Sequence, residues 1–301
     1  MFEIKSLTLR NIKVYLRDKT AVFFSFLSVI ILLSLYILFI GNQFKPDVLV
    51  GILTEQELTF LMYSQLLPGL IVINSVSIPL GNLGNIINDL EYKQLDGFLV
   101  TPVKRFKVVI SYYISSFLIT VVISVLLVIL ASVLMMLTTG YIYNLGVFMY
   151  TVLYVVLFSF ISSAIMVFLT QFIKSVNAFG AFSGVFGSVV GFVSGIYMPL
   201  FILPDFIQKV ASLVPFTHMT IALKQVMMKQ SFEIIDQKFG SNIPPTEYQN
   251  FLTQYKEAVG INDIGILGLN VPMFWVMVLI VVFSLGLLIL SAMLINNRLK
   301  K

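Results

Sequence analysis

Residues 119–137 read ITVVISVLLVILASVLMML, nineteen positions without a charge, a proline or a glycine. An apolar run of about 18 or more residues is long enough to cross the hydrocarbon layer of a bilayer as a helix. A membrane barrel would instead alternate apolar and polar positions over strands of about ten residues, and this run does not alternate. Extended to 108–137, it is one of six such stretches; the others are 21–40, 60–87, 147–170, 178–198 and 271–295. Hydrophobic residues make up 58% of the 301 positions and charged ones 11%, too few charges to clothe a soluble domain of this size. The sequence therefore predicts an all-α polytopic membrane protein with six transmembrane helices.

The charges that remain are placed unevenly. With six spans, segments 1–20, 88–107, 171–177 and 296–301 share one side, and they hold thirteen of the nineteen Lys and Arg. The positive-inside rule puts that side in the cytoplasm, giving an N-in, C-in chain. No nucleic acid is needed to account for the net charge of +5. Five basic residues among the first twenty, with no small-residue cleavage site, point away from a removed leader.

Four segments carry the detail. In 1–20, Arg10, Lys13 and Arg17 form a basic stripe beside an apolar one of Leu9, Ile12 and Leu16. That pattern suits an interfacial helix with its cations toward anionic lipid, and equally a plain topogenic flank. Span 60–87 contains Pro68, Gly69, Asn74, Ser75, Ser77, Pro79, Gly81 and Asn82. These are costly against lipid and belong on a helix-packing face or a substrate path. Span 178–198 places Gly184, Gly187, Gly191 and Gly195 on one face, open to a close-packed neighbour. Residues 199–230, broken by Pro199, Pro204 and Pro215, read as an external re-entrant or interfacial segment, with Lys224 and Lys229 on the polar side of a helix at 216–230. Residues 231–270 read as a water-exposed insert with a short helix at 246–259.

Several chemistries are excluded by what is missing. There is no cysteine, so no disulfide or zinc–thiolate site exists. His218 is the one histidine and is expected to pack rather than to catalyse; no catalytic or metal site is expected. None of the six stretches holds an Asp, Glu, Lys, Arg or His, which argues against a proton-coupled carrier and, less strongly, against sodium coupling. No phosphate-binding loop of the G-x-x-x-x-G-K-[ST] type occurs, so energy for pumping would have to come from a partner at the cytoplasmic face.

That need directs attention to residues 88–107, NDLEYKQLDGFLVTPVKRFK. Asp89 and Glu91 are expected at the start of a cytoplasmic helix, near its positive dipole end. Leu90, Leu95, Phe98 and Leu99 supply an apolar side, and Thr101-Pro102 ends the helix. Lys104, Arg105 and Lys107 return the chain to the membrane at headgroup depth. The alternatives are a docking helix and an ordinary solvated loop with stop-transfer charges.

The chain resembles the ABC-2 family of ABC-transporter membrane subunits, the type V exporter architecture that includes drug and antibiotic exporters. Glu91, then Leu95-Asp96-x-Phe98-Leu99-Val100-Thr101-Pro102, is similar to the family's cytoplasmic pattern E-x-G-T-L-E-x-L-L-x-T-P, with Lys93-Gln94 in place of Gly-Thr and Asp96 in place of Glu. Ser194-Gly195, Pro199, Leu203-Pro204 and Val214-Pro215 resemble its SG…P…LP…P signature after the fifth span. The resemblance implies a permease paired with a second copy or a homologue and with two copies of a separate ATP-binding subunit, in which ATP and Mg are bound. It implies that Glu91, Leu95, Asp96, Phe98, Leu99, Thr101 and Pro102 couple to that subunit. It also implies export of a drug, antibiotic, peptide or lipid past Asn74, Ser75, Ser77 and Asn82, with a polysaccharide or glycolipid as the alternative cargo. The rival classes are an ion-coupled carrier or channel and a non-transporting sensor or assembly factor.

Overall fold

The computed structural model describes residues 2–20, 22, 23, 27, 30, 34, 46–95, 97, 103–197 and 200–298. Its described elements are helical: α1 (Phe2–Arg17), α2 (Glu55–Glu91), α3 (Arg105–Thr139), α4 (Leu145–Thr170), α5 (Val176–Val193), α6 (Asp205–Ala211), α7 (Pro215–Met227), α8 (Lys229–Lys238), α9 (Pro245–Ala258) and α10 (Met273–Arg298). Short 3-10 turns sit between some of them, and no strand occurs among the described residues. Five helices, α2 to α5 and α10, are long and apolar enough to cross a membrane. The sixth expected span, 21–40, lies almost wholly outside the described residues.

The bundle is built around α2. In its most apolar stretch 83% of residues are buried, against 11% for α5, so α2 is the axis and α5 lies at the edge. Helix α2 packs on α3, α4, α5 and α7, and this shelter lets it keep Pro68 and Pro79 in its interior, where each removes a backbone hydrogen bond. Its small residues are seats for the α5 region. A methyl group on Gly69 would lie 2.8 Å from Ile196, and one on Gly84 3.0 Å from Phe179.

Helix α2 is longer than the apolar stretch 60–87 because it gains charged turns at both ends. Thr54 and Glu57 start it with a capping box: Glu57 N–H donates to Thr54 Oγ1 at 3.3 Å and Thr54 N–H to Glu57 Oε2 at 2.9 Å. At the other end the helix runs on through Asp89 and Glu91. These two residues therefore close a membrane helix rather than open a cytoplasmic one. The expected helix start gives way because 60–91 can propagate as one helix, each further turn satisfying backbone groups that a break would orphan.

Segment 199–230 is bent: α6 and α7 meet at 86° across a short break. Pro204 stands at the N-cap of α6, and Pro215 is the first residue of α7, where its missing N–H costs nothing. The helix expected at 216–230 does not carry Lys224 on a polar side. Helix α7 is buried from Phe216 to Lys224 and packs on α2, α4 and α10. His218 is buried and bonds the Ser212 carbonyl through Nε2 at 2.8 Å. Lys224 is buried too, because its Nζ reaches the Val259 carbonyl at 2.8 Å. Val259 caps the C-terminal end of α9, where a helix favours a cation.

The insert at 231–270 has a core of its own. Ile235 and Phe239 of the α8 region meet Tyr248 and Tyr255 of α9, and these close over Leu49 and Leu53 just before α2 and Leu58 and Leu61 at its start. Lys238 pairs with Glu57 at 2.6 Å, and Tyr141 donates to the same carboxylate at 2.9 Å. Gln230 grips the α3–α4 turn, accepting from Asn144 N–H at 3.0 Å and donating to the Ile142 carbonyl at 3.2 Å. Glu57 lies outside the apolar stretch 60–87. Burial raises its pKa, but the bonds from Lys238, Thr54 and Tyr141 outweigh that and bring it to about 2.

Candidate functional site

Of the residues that motivated a docking site, Asp89, Glu91 and Leu95 are described, and they lie at the opposite end of α2. Asp89 is buried one turn from the helix terminus, where the macrodipole disfavours a negative charge. Its partners compensate. The Arg10 guanidinium of α1 holds it in a two-pronged pair, with Nη2 donating to Oδ1 at 2.9 Å and Nη1 to Oδ2. The Tyr112 hydroxyl of α3 also donates to Oδ2. Arg10 reaches the Tyr112 oxygen at 3.2 Å as well. Arg10 is held charged: its hydrogen bond to Asp89 raises its pKa above the ordinary value. A planar guanidinium is suited to this double contact in a way that an ammonium is not.

Three further contacts widen the cluster. Lys107 in the first turn of α3 pairs with Glu3 in the first turn of α1, and that hydrogen bond lowers the Glu3 pKa. Asn11 donates to Ser111 at 3.5 Å. Glu91, the last residue of α2, accepts the N–H of Val176, the first residue of α5. A carboxylate at a helix N-terminus takes up one of its orphan donors and favours the dipole. Side chains on α1, α2 and α3, with the backbone start of α5, thus meet in one polar hub.

Helix α1 is fastened by apolar contact too. Tyr15 is buried against Ile78 of α2 and Ile119 and Ile123 of α3. Of the basic stripe, Arg10 is turned toward Asp89 while Lys13 and Arg17 are exposed. Lys104 is the exposed N-cap of α3, and Arg105 is half-buried beside it. Leu95 is buried in the main core, and its N–H donates to the Asp89 carbonyl at 3.2 Å, so the chain after α2 folds back onto the hub. Asp96, Phe98, Leu99, Thr101 and Pro102 lie outside the described residues.

The polar residues of α2 do not form one line. Asn74 borders a cavity of about 260 Å³ with Ile30, Ser34, Leu67 and Leu134. Ser75 is buried and spends its hydroxyl on the Ile71 carbonyl at 2.9 Å. Ser77 is exposed. Asn82 is buried with no hydrogen-bond partner for its amide among the described residues. The glycine face of the fifth span divides as well. Gly184 and Gly187 front open space, whereas the Tyr197 ring fills the room beside Gly191. Ser194 caps α5, and Gly195 turns the chain with φ +68° against Leu200. Pro199 lies outside the described residues.

Sequence reasoning missed the pairing of Arg10 with Asp89 and the part of Tyr112 in it. The available signal was an aspartate at the edge of an apolar run, which needs a cation to be buried. The 79 positions that separate the two hide which cation it is. A family model described as an ABC-2 family transporter protein matches residues 52–294. That match spans α2 to α10 and begins after α1. No curated protein matches the chain.

Proposed function

The chain belongs to the ABC-2 family of transporter proteins, and from that premise we propose that it is the permease half of an ATP-driven exporter for hydrophobic or amphipathic molecules. Membership makes it a membrane-spanning component that works with an ATP-binding subunit. The proposal adds the direction, the cargo class, two copies of the motor, a second permease beside the first, and the route by which motor movement enters the bundle.

The observation that carries the route is the polar hub. Residues 92–104 connect α2 to α3, and both helices are bonded to α1 at the ends this stretch joins, through Asp89, Tyr112 and Lys107. Glu91 adds α5. When the motor closes on ATP and displaces the connecting stretch, the four helices move as one unit, because their contacts are charged and partly shielded from water. In this account Glu91 acts as a rigid joint between α2 and α5, and the coupling surface proper is Leu95 to Pro102. Lys13 and Arg17, left exposed on α1, face anionic headgroups or the motor. Cargo passes along α2 near Asn74, where the cavity opens, and leaves on the side of the insert.

Co-purification with an ATP-binding subunit, followed by reconstitution of the complex in liposomes, tests the reading. Glu91→Gln, or one residue inserted before Pro102, leaves ATP hydrolysis running and lowers ATP-dependent movement of rhodamine 6G by about tenfold, the scale of one lost charged contact in a coupling step. Movement of the dye at the unaltered rate in both variants contradicts the coupling role. Movement that needs no ATP-binding subunit contradicts the class.

A further inference from the structure

The insert holds a cavity of about 590 Å³ between α8, α9 and the end of α7, within the range of about 300–1,000 Å³ common to small-molecule sites. Phe232, Tyr248, Leu252 and Ile261 supply apolar and aromatic wall. Three carboxylates, Glu233, Asp236 and Asp263, and two ammonium groups, Lys229 and Lys256, stand around it. The cavity is therefore amphipathic and slightly negative.

The charges differ in how far they are engaged. Asp236 accepts a hydrogen bond from Tyr248, and Asp263 accepts one from Gln225 at 2.7 Å. The exposed Glu233 carboxylate has no hydrogen bond or ion pair among the described residues, although Lys229 stands four positions before it on α8, at the spacing that favours pairing. Lys256 has its Nζ 5.6 Å from the centre of the Phe232 ring. A cation over that face is attracted by the ring quadrupole, so the wall already seats one ammonium of the chain's own.

We propose that this cavity binds an amphipathic organic cation: an apolar body of drug size lies against Phe232, Leu252 and Ile261, and its positive centre is met by Glu233 and Asp236. The half-buried Lys256 shows the seat an amine takes, and its flexible stem lets it swing to solvent when a ligand arrives. Gln225, which lines the same cavity, belongs to α7, and α7 packs on α2. A bound cation thus touches the helix that joins the insert to the bundle axis. The assignment stands apart from the direction of transport and from the identity of the cargo.

The absence of cysteine makes the test direct. A single Gln237→Cys, exposed on α8 next to the site, carries an environment-sensitive dye on the full chain in lipid nanodiscs, and tetraphenylphosphonium is the probe. The expected result is a saturable change in dye emission, about tenfold weaker in affinity when Glu233→Gln and Asp236→Asn are combined. Tetraphenylborate, an anion of the same shape, gives no saturable change. Both carboxylates are exposed, so the double variant keeps its helical circular dichroism, and Phe232→Leu provides a second, uncharged weakening. A signal that only rises linearly with the probe, equal binding of the borate, or a double variant that binds as tightly as the parent overturns the assignment.

Discussion

Both ends of α2 carry a buried carboxylate, and the two are held in opposite ways. Glu57 sits at the positive end of the helix, and one of its carboxylate's three partners is local, the N–H of Thr54 three residues away, whose hydroxyl in turn caps the Glu57 N–H. Asp89 sits at the negative end, and its side-chain partners Arg10 and Tyr112 lie on other helices, 79 and 23 positions distant. Glu57 would keep its cap if the insert moved away. Asp89 would be left as a buried charge in an unfavourable field if α1 moved away. The Glu57 end is thus a fixed start, and the Asp89 end holds only while the helices around it stay together. An element that must pass on movement from outside the membrane domain is better served by the second arrangement, since displacement of one member costs energy unless the others follow.

The comparison is broken most readily at the Asp89 end. Arg10→Ala leaves Asp89 without its guanidinium and is expected to cost about 3 kcal/mol of unfolding free energy, read by titration with a denaturing detergent, because an unpaired buried charge remains. Arg10→Lys recovers part of the loss but not the two-pronged contact. An Arg10→Ala protein as stable as its parent would mean that the two ends do not differ. At the other end Glu57→Gln removes an ion pair whose lysine is 43% exposed while leaving the Thr54 hydroxyl to cap the helix, so the expected cost is smaller, about 1 kcal/mol.

Acid sharpens the contrast. The Glu57 pKa is depressed in the folded chain from an ordinary 4.5 to about 2. Its contribution is therefore complete above pH 4.5 and lost as pH falls through 2. The stability gap between the parent and Glu57→Gln is expected to be constant from pH 7 to 5 and to narrow between pH 4.5 and 2. A gap that does not change over that interval means that the carboxylate is not held by its charge.

Much of the bundle is legible in the sequence, for a simple reason. Residues 108–137 and 147–170 are uncharged and apolar, and α3 and α4 coincide with them to within a turn. The ends of α2 are harder to see because Glu57, Asp89 and Glu91 look like loop residues until their partners are known. The burial of α7 is hidden in the same way. Lys224 reads as a surface lysine, and what allows it inside is a backbone carbonyl 35 positions later, which no periodicity reports. The stretch 88–107 stands out in the sequence by its charges, but the hub beside it does not. Its bonds join Glu3 to Lys107, Arg10 to Asp89 and Glu91 to the start of α5, contacts that only folding brings together. The same holds for the insert, whose cavity is shared between α8, α9 and α7.

The central claim is that the Asp89 end of α2 carries the motor's movement into the bundle and the Glu57 end does not. It is tested most directly with a single Leu145→Cys, placed at the exposed start of α4 on the insert side, in the complex with its ATP-binding subunit. The rate at which a water-soluble maleimide reacts there is compared without nucleotide and with ATP trapped by vanadate. The account predicts a nucleotide-dependent rate in the parent and in Glu57→Gln, and its loss in Arg10→Ala while ATP hydrolysis continues. A rate that still responds to nucleotide in Arg10→Ala, or fails to respond only in Glu57→Gln, would contradict it.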